Sequence, residues 1–231
     1  MDGIGFRLRH WLTASRCREV QRPNMANKVD RYQPMLLDER PLDLDEPGWI
    51  YELKLNGYRV LAEFDGAVQL RTRNGTDATT WFPEITQSLG KLRSGQCVVD
   101  GEVCVFDQVG RSDFSQLQDR GARGRYPGGP NVVYCVFDLL VHRSVDITQQ
   151  PLLERKAALA GIFKKRPRPY IMYVDHFESG AAQLFADVVI PMKLEGLVAK
   201  RAGSVYQPGV RSSDWVKVKR SAVPSGRVAR T

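Results

Sequence analysis

WIYELKLNGYRVLAEFDGAVQLRTR, residues 49–73, decides the fold class. Trp49, Tyr51, Leu53 and Leu55 alternate with Ile50, Glu52, Lys54 and Asn56, which is the two-residue period of a β-strand. Residues 58–64 and 67–73 are two more strand-like runs, joined by Asp65-Gly66, a pair that reverses one strand against the next. Asn74-Gly75 marks another turn. The domain therefore starts with antiparallel pairing.

Strands are also expected over 97–106 and 131–140, separated by a Gly-, Arg- and Pro-rich segment, 121–130, that reads as a loop. Its glycines fit no phosphate-loop pattern. Helices are expected from Pro151 to Ile162, with the proline in the first turn, and over 179–190, capped by Ser179. Strands return at 170–177, 196–200 and 215–219, and the acidic, proline-bounded segment 38–47 reads as a loop. This mixed order, with its hairpins, predicts an α+β fold with largely antiparallel sheets, and not a doubly wound parallel sheet.

The chain has 231 residues, 42% hydrophobic and 26% charged. That composition excludes disorder, collagen and coiled coil as the main architecture. No apolar run approaches the ~20 residues of a membrane span; the longest, 132–141, is interrupted by Asp138. Cys17, Cys97, Cys104 and Cys135 form no CxxC pair, and three of them sit in apolar runs, as expected of reduced, buried thiols in an intracellular protein. Three scattered histidines argue against structural zinc. The net charge of +8 is concentrated at the ends, +4 over residues 1–28 and +7 over 200–231. Basic ends suit a polyanion such as nucleic acid, the alternative being solvated tails. Residues 1–28 are expected to be a disordered extension without a signal-type apolar region, and Met25 offers a second start.

Glu52 and Lys54 share one strand face, ~6.6 Å apart by strand rise, with Gly57 following at once. A solvent-facing ion pair is the plain alternative. Trp215, Lys217 and Lys219 share a face opposite Val216 and Val218. Two such lysines call for an anion between them, unless they mark a basic edge strand. Asp100-Gly-Glu102 and Glu195-Gly place carboxylates beside glycine next to apolar strands, suited to a metal or a ribose hydroxyl, or else to turns. Phe137 offers a ring to a base or is simply core.

Taken in order, Lys54-Leu-Asn-Gly-Tyr-Arg59, Arg73-Asn-Gly75, Asp100-Gly-Glu102, Phe137-Asp-Leu-Leu140, Glu195-Gly-Leu-Val-Ala-Lys200 and Asp214-Trp-Val-Lys-Val-Lys219 resemble the covalent nucleotidyltransferases. Among them the chain is most similar to ATP-dependent DNA ligases of the bacterial repair type, over roughly residues 31–220. The resemblance implies a nucleotidyltransferase (ATP-grasp-like) fold, two largely antiparallel sheets flanked by helices around a nucleotide cleft. It implies an adenylation domain over 29–220, a basic tail over 221–231 and no OB domain. By the same resemblance Lys54 is the nucleophile that takes AMP, and Glu52 contacts adenine. Arg59 and Arg73 lie near the ribose and the phosphates or nick. Glu102 binds ribose and, with Glu195, a metal. Phe137 stacks on adenine, Lys217 and Lys219 hold the α-phosphate, and Arg211 adds a basic group before the last strand. ATP with Mg2+ (or Mn2+) is implied, NAD having no matching segment upstream of Lys54. Nearby cations would help Lys54 shed its proton.

Implied partners are nicked double-stranded DNA and a separate DNA-binding or end-joining protein supplying the OB function, with the chain a cytoplasmic, nucleoid-associated monomer that meets no membrane. Asn56 stands where the family carries aspartate, which predicts slower adenylation. Alternative readings are an RNA ligase or capping-type nucleotidyltransferase, and a catalytically weak DNA- or partner-binding remnant.

Overall fold

The computed structural model describes residues 28–122, 132–165 and 167–222. The expectations for the N-terminal extension, the 121–130 loop and the C-terminal tail fall almost wholly outside these residues. Among the described residues ten strands form two sheets. They are β1 (Leu36–Asp38), β2 (Trp49–Leu53), β3 (Tyr58–Asp65), β4 (Ala67–Thr72), β5 (Cys97–Val105), β6 (Val132–His142), β7 (Val145–Asp146), β8 (Ile171–Tyr173), β9 (Gly196–Arg201) and β10 (Arg211–Lys219). One sheet runs β1-β10-β9-β2; the other runs β4-β3-β5-β6-β7, with β8 beside β6. Among the described strands only β1–β10 and β6–β8 pair in parallel. The α+β class with largely antiparallel sheets is therefore observed, and the Asp65-Gly66 turn joins β3 to β4 as read, Asp65 facing Ala67.

Side-chain parity sorts each strand between layers. On β3, Val60, Ala62 and Phe64 face an outer core packed with Ile85, Leu89, Leu159 and Phe163, while Leu61 faces inward. These four outer residues come from α1 (Pro83–Gly90) and α3 (Leu152–Phe163), with α2 (Phe114–Ala122) between them in the chain. On β2, Trp49 and Tyr51 pack under the helix α4 (Ala181–Leu184) and its π-helical continuation Phe185–Val189. Ile50 points the other way, into a core between the sheets with Leu61, Cys104, Phe137 and Trp215. The inter-sheet core gives way to a cleft where polar residues take over the same inward faces.

Some expectations shift. Pro151 precedes α3 as its N-cap instead of lying in the first turn. The second helix starts after Gly180, not at Ser179: the chain enters it at φ 71, a left-handed conformation that glycine adopts freely. The expected strand 170–177 keeps only β8, because beyond Tyr173 the chain crosses between sheets. Val174 N–H donates to Val136 O at 2.9 Å, and Phe177 exchanges two backbone bonds with Tyr51. Cys97, Cys104 and Cys135 are buried free thiols, as expected. Among the described residues no helix is long and apolar enough to cross a membrane.

Candidate active site

The central strand of the smaller sheet builds the cleft floor. Val198 on β9 faces Glu52 on β2 and Lys217 on β10. One step along, Lys54 N–H donates to Gly196 O at 2.9 Å, and Gly196 faces Lys219. The side chains of Lys54 and Lys219 thus project from rows two strands apart, roughly 9.5 Å by interstrand spacing. The cleft has a volume of about 550 Å³. All ten sequence-nominated residues border it: Glu52, Lys54, Arg59, Arg73, Glu102, Phe137, Glu195, Arg211, Lys217 and Lys219. β10 lies between β1 and β9, although β1 pairs with it only as far as Val216, short of its lysines.

Lys54 Nζ lies 2.6 Å from Glu195 Oε1, and its side chain is 15% exposed. The second oxygen, Glu195 Oε2, is buried without a hydrogen-bond partner. Just beyond Lys54 the chain turns at Gly57, whose N–H donates to Glu102 Oε1 at 3.1 Å. Burial pushes the Glu102 carboxyl up to about 6, against the pull of Arg59 and Lys54. A Cβ on Gly57 would sit 2.1 Å from the Val103 carbonyl oxygen, backbone against backbone. Gly57→Ala is therefore expected to lose about 1–3 kcal/mol of stability. Thermal melts check this.

Arg59 is held by a buried network. Its Nε and Nη2 donate to Asp100 at 2.6 and 2.7 Å, and Tyr206 OH donates to the same carboxylate at 2.6 Å. The guanidinium stands 4.7 Å over the Phe137 ring. Asp100 is fully buried and serves Arg59, correcting the expectation of a metal- or ribose-binding acid at that position. Phe137 is both core and cleft wall, 8% exposed.

Glu52 is 3% exposed, which overturns the solvent-face alternative. Lys156 from α3 donates to its Oε1 at 2.5 Å and Lys200 from β9 to its Oε2 at 2.6 Å. Burial alone would raise this carboxyl; Lys156, then Lys200, outweigh it and hold the group below its ordinary range. Burial lowers Lys200 to about 8, Glu52 opposing. Lys200 enters the sequence reading only as the end of the Glu195–Lys200 motif, with no role, and Lys156 not as a site residue, since a long-range ion pair leaves no local spacing.

The anion between Lys217 and Lys219 is a carboxylate of the chain itself. Glu39, just past β1, lies 2.7 Å from Lys217 and 3.2 Å from Lys219. Those two ammonium groups hold its carboxyl below the ordinary range. Arg211 donates through Nη1 to Leu37 O on β1. Arg73 is exposed at the rim, its N–H bonded to Arg59 O at 3.0 Å. No group of three His, Cys, Asp or Glu among the described residues forms a metal cage.

Comparison with known proteins agrees with this geometry. The ATP dependent DNA ligase domain family matches residues 23–219. The multifunctional non-homologous end joining protein LigD of Pseudomonas aeruginosa is 38% identical over 172 residues, covering 74% of this chain and 20% of that protein. The SPbeta prophage-derived DNA ligase-like protein LigB of Bacillus subtilis is 32% identical over 186 residues, covering 80% of this chain and 66% of that protein. The structure of mycobacterial DNA ligase D complexed with ATP and MES superposes with a TM-score of 0.71 at 32% identity, covering 83% of this chain and 61% of that one. The chain therefore spans about a fifth of LigD and about two thirds of LigB. With a family match across most of its length and two sheets closing on a lysine-centred cleft, the chain belongs to the ATP-dependent DNA ligase domain family.

Proposed function

We propose that residues 29–220 are an adenylation unit that takes AMP from ATP onto Lys54 and passes it to the 5′-phosphate of nicked DNA. One observation carries this: Lys54 and the pair Lys217 and Lys219 face one cleft across β9, with Phe137 on its wall. In step one the Lys54 amine attacks the α-phosphorus. A nitrogen–phosphorus bond forms, the bond to the β-phosphate oxygen breaks, and pyrophosphate leaves. Glu195 Oε1, at 2.6 Å, is within reach of the amine's proton. Lys217 and Lys219 neutralise charge developing on the α-phosphate. A 5′-phosphate oxygen then displaces Lys54, and a 3′-hydroxyl displaces AMP to seal the strand.

In this reading Phe137 stacks on adenine, Glu52 accepts from its amino group, and Glu102 takes a ribose hydroxyl. Arg59, Arg73 and Arg211 line the ribose, phosphate and DNA side. Glu195, with its orphaned buried oxygen, and Glu102 are hard donors that fit Mg2+ or Mn2+. Such an ion would offset triphosphate charge. The fold is read as the ATP-grasp-like nucleotidyltransferase type, with residues 1–28 and 221–231 as basic flanks. The proposed setting is bacterial end joining in the cytoplasm, alongside a protein that grips DNA. That the LigD relatives are non-homologous end joining proteins supports this setting.

The test is transfer. Protein charged with labelled AMP is offered nicked DNA or the same nick in RNA. Label moving to the DNA 5′ end is expected. Transfer confined to RNA favours the RNA ligase reading, and no transfer to either favours the binding remnant.

Two smaller effects follow. Glu39 must yield Lys217 and Lys219 to a phosphate, and exposed pairs of this kind are weak. Glu39→Gln should therefore lower the KM for ATP by up to about fivefold in an adenylation assay. Asn56 is exposed two residues from Lys54, its N–H bonded to Ser112 Oγ at 3.0 Å. A carboxylate there would orient the Lys54 amine for attack, so Asn56→Asp should speed AMP capture by about fivefold. An unchanged or slower rate counts against that reading of Asn56.

A further inference from the structure

The buried triad Lys156–Glu52–Lys200 does more than the family motifs require. Lys200 lines the cleft and Lys156 does not. Lys156 stands behind Glu52, 1% exposed, and its other donors go to Val174 O at 3.0 Å and Phe137 O at 3.4 Å. All three of its N–H groups thus have acceptors, and Phe137 and Glu52 are tied to one ammonium. Nothing in Lys156 is free to meet a ligand, so any role in recognition passes through Glu52.

We infer that Lys156 is a positioning residue for base selection: by pinning Glu52 as an ionised, acceptor-only carboxylate, it makes the cleft accept 6-aminopurine nucleotides and refuse 6-oxopurine ones. The inference rests on the proposed seating of the base against Glu52. An ionised carboxylate can only accept hydrogen bonds, whereas a protonated one can donate. An amino group at the purine 6-position satisfies the first state. A carbonyl oxygen there meets acceptor with acceptor in a buried site, which costs far more than a missing contact in water. A 3% exposed carboxylate needs cations to stay charged. The groups facing it are Lys156 from α3, Lys200 from β9, and Tyr173 and His176 from the crossing segment. Of these, Lys156 makes the shorter contact, 2.5 Å against 2.6 Å for Lys200, and lies outside the cleft lining, so a bound base leaves it on Glu52. Without Lys156 the carboxyl would take up a proton at a higher pH than in the wild type, already in mildly acid solution, and become a donor.

The test measures single-turnover nucleotidylation of the full chain with labelled ATP and labelled GTP, from pH 5.5 to 7.5. The wild type should prefer ATP by a ratio that stays flat across this range. In Lys156→Met the ratio should fall by at least about tenfold at pH 5.5 and recover as pH rises and Glu52 ionises, while Lys156→Arg keeps the wild-type ratio. If Lys156→Met folds poorly in thermal melts, the double variant Glu52→Gln/Lys156→Met removes both charges. It should show the selectivity of Glu52→Gln alone. The inference is overturned if Glu52→Gln relaxes selectivity but Lys156→Met does not, or if the two changes add independently. If Glu52→Gln leaves the ratio untouched, the seating of the base on Glu52 is wrong and the inference falls with it. AMP capture by Lys54 itself would survive that result.

Discussion

Lys217→Ala should reduce formation of the lysine–AMP adduct by about 10²–10³-fold, the usual cost of removing one preorganised donor from a developing oxyanion. Lys217 reaches the cleft from the middle of β10, opposite Val198, in the same row as Glu52. Its side chain is 22% exposed, against 36% for Lys219. The more enclosed ammonium acts through less water, so its loss should exceed that of Lys219. Single-turnover labelling at saturating ATP isolates this step. Equal and small losses for both variants would place the α-phosphate elsewhere.

Asp138→Ala should have the largest effect on stability. Asp138 and Arg155 are both fully buried and joined through two bonds, Nε to Oδ1 and Nη2 to Oδ2, each 2.9 Å. Arg155 also donates to Gln150 O and to Ser204 O, tying α3 to the loop after β9. Removing the carboxylate strands a guanidinium in the core, at a cost of about 3–5 kcal/mol. The melting temperature should fall by roughly 10 °C. Asp138 neighbours Phe137 and Arg155 neighbours Lys156, so the same pair fixes the elements that carry the cleft wall and the triad.

The strands at 49–53, 58–65 and 67–72 were legible because alternation and an Asp-Gly turn are local signals. Two helices were missed although their signals are present. Pro83 opens α1 with Glu84 in its first turn. Asp113 caps the helix Phe114–Ala122, accepting from the N–H groups of Ser115 and Gln116 while Gln116 reaches back to it. β1 has three residues, too few to alternate, and exists because β10 offers it a parallel partner. At the site, motif order nominated ten cleft residues. The pairings of Asp100 with Arg59, of Lys156 and Lys200 with Glu52, and of Glu39 with the lysine pair escaped, because each contact joins residues 41 to 180 positions apart. Charge pairing of this kind is decided by sheet order, which strand patterns do not encode.

The most direct measurement is peptide mapping by mass spectrometry of the protein after incubation with ATP and magnesium. The expected result is one AMP on Lys54, released by acid as a phosphorus–nitrogen bond should be, and absent from Lys54→Arg. An unmodified Lys54 peptide, or AMP found on Lys200, Lys217 or Lys219 instead, would contradict the assignment of Lys54 as the group that captures the nucleotide.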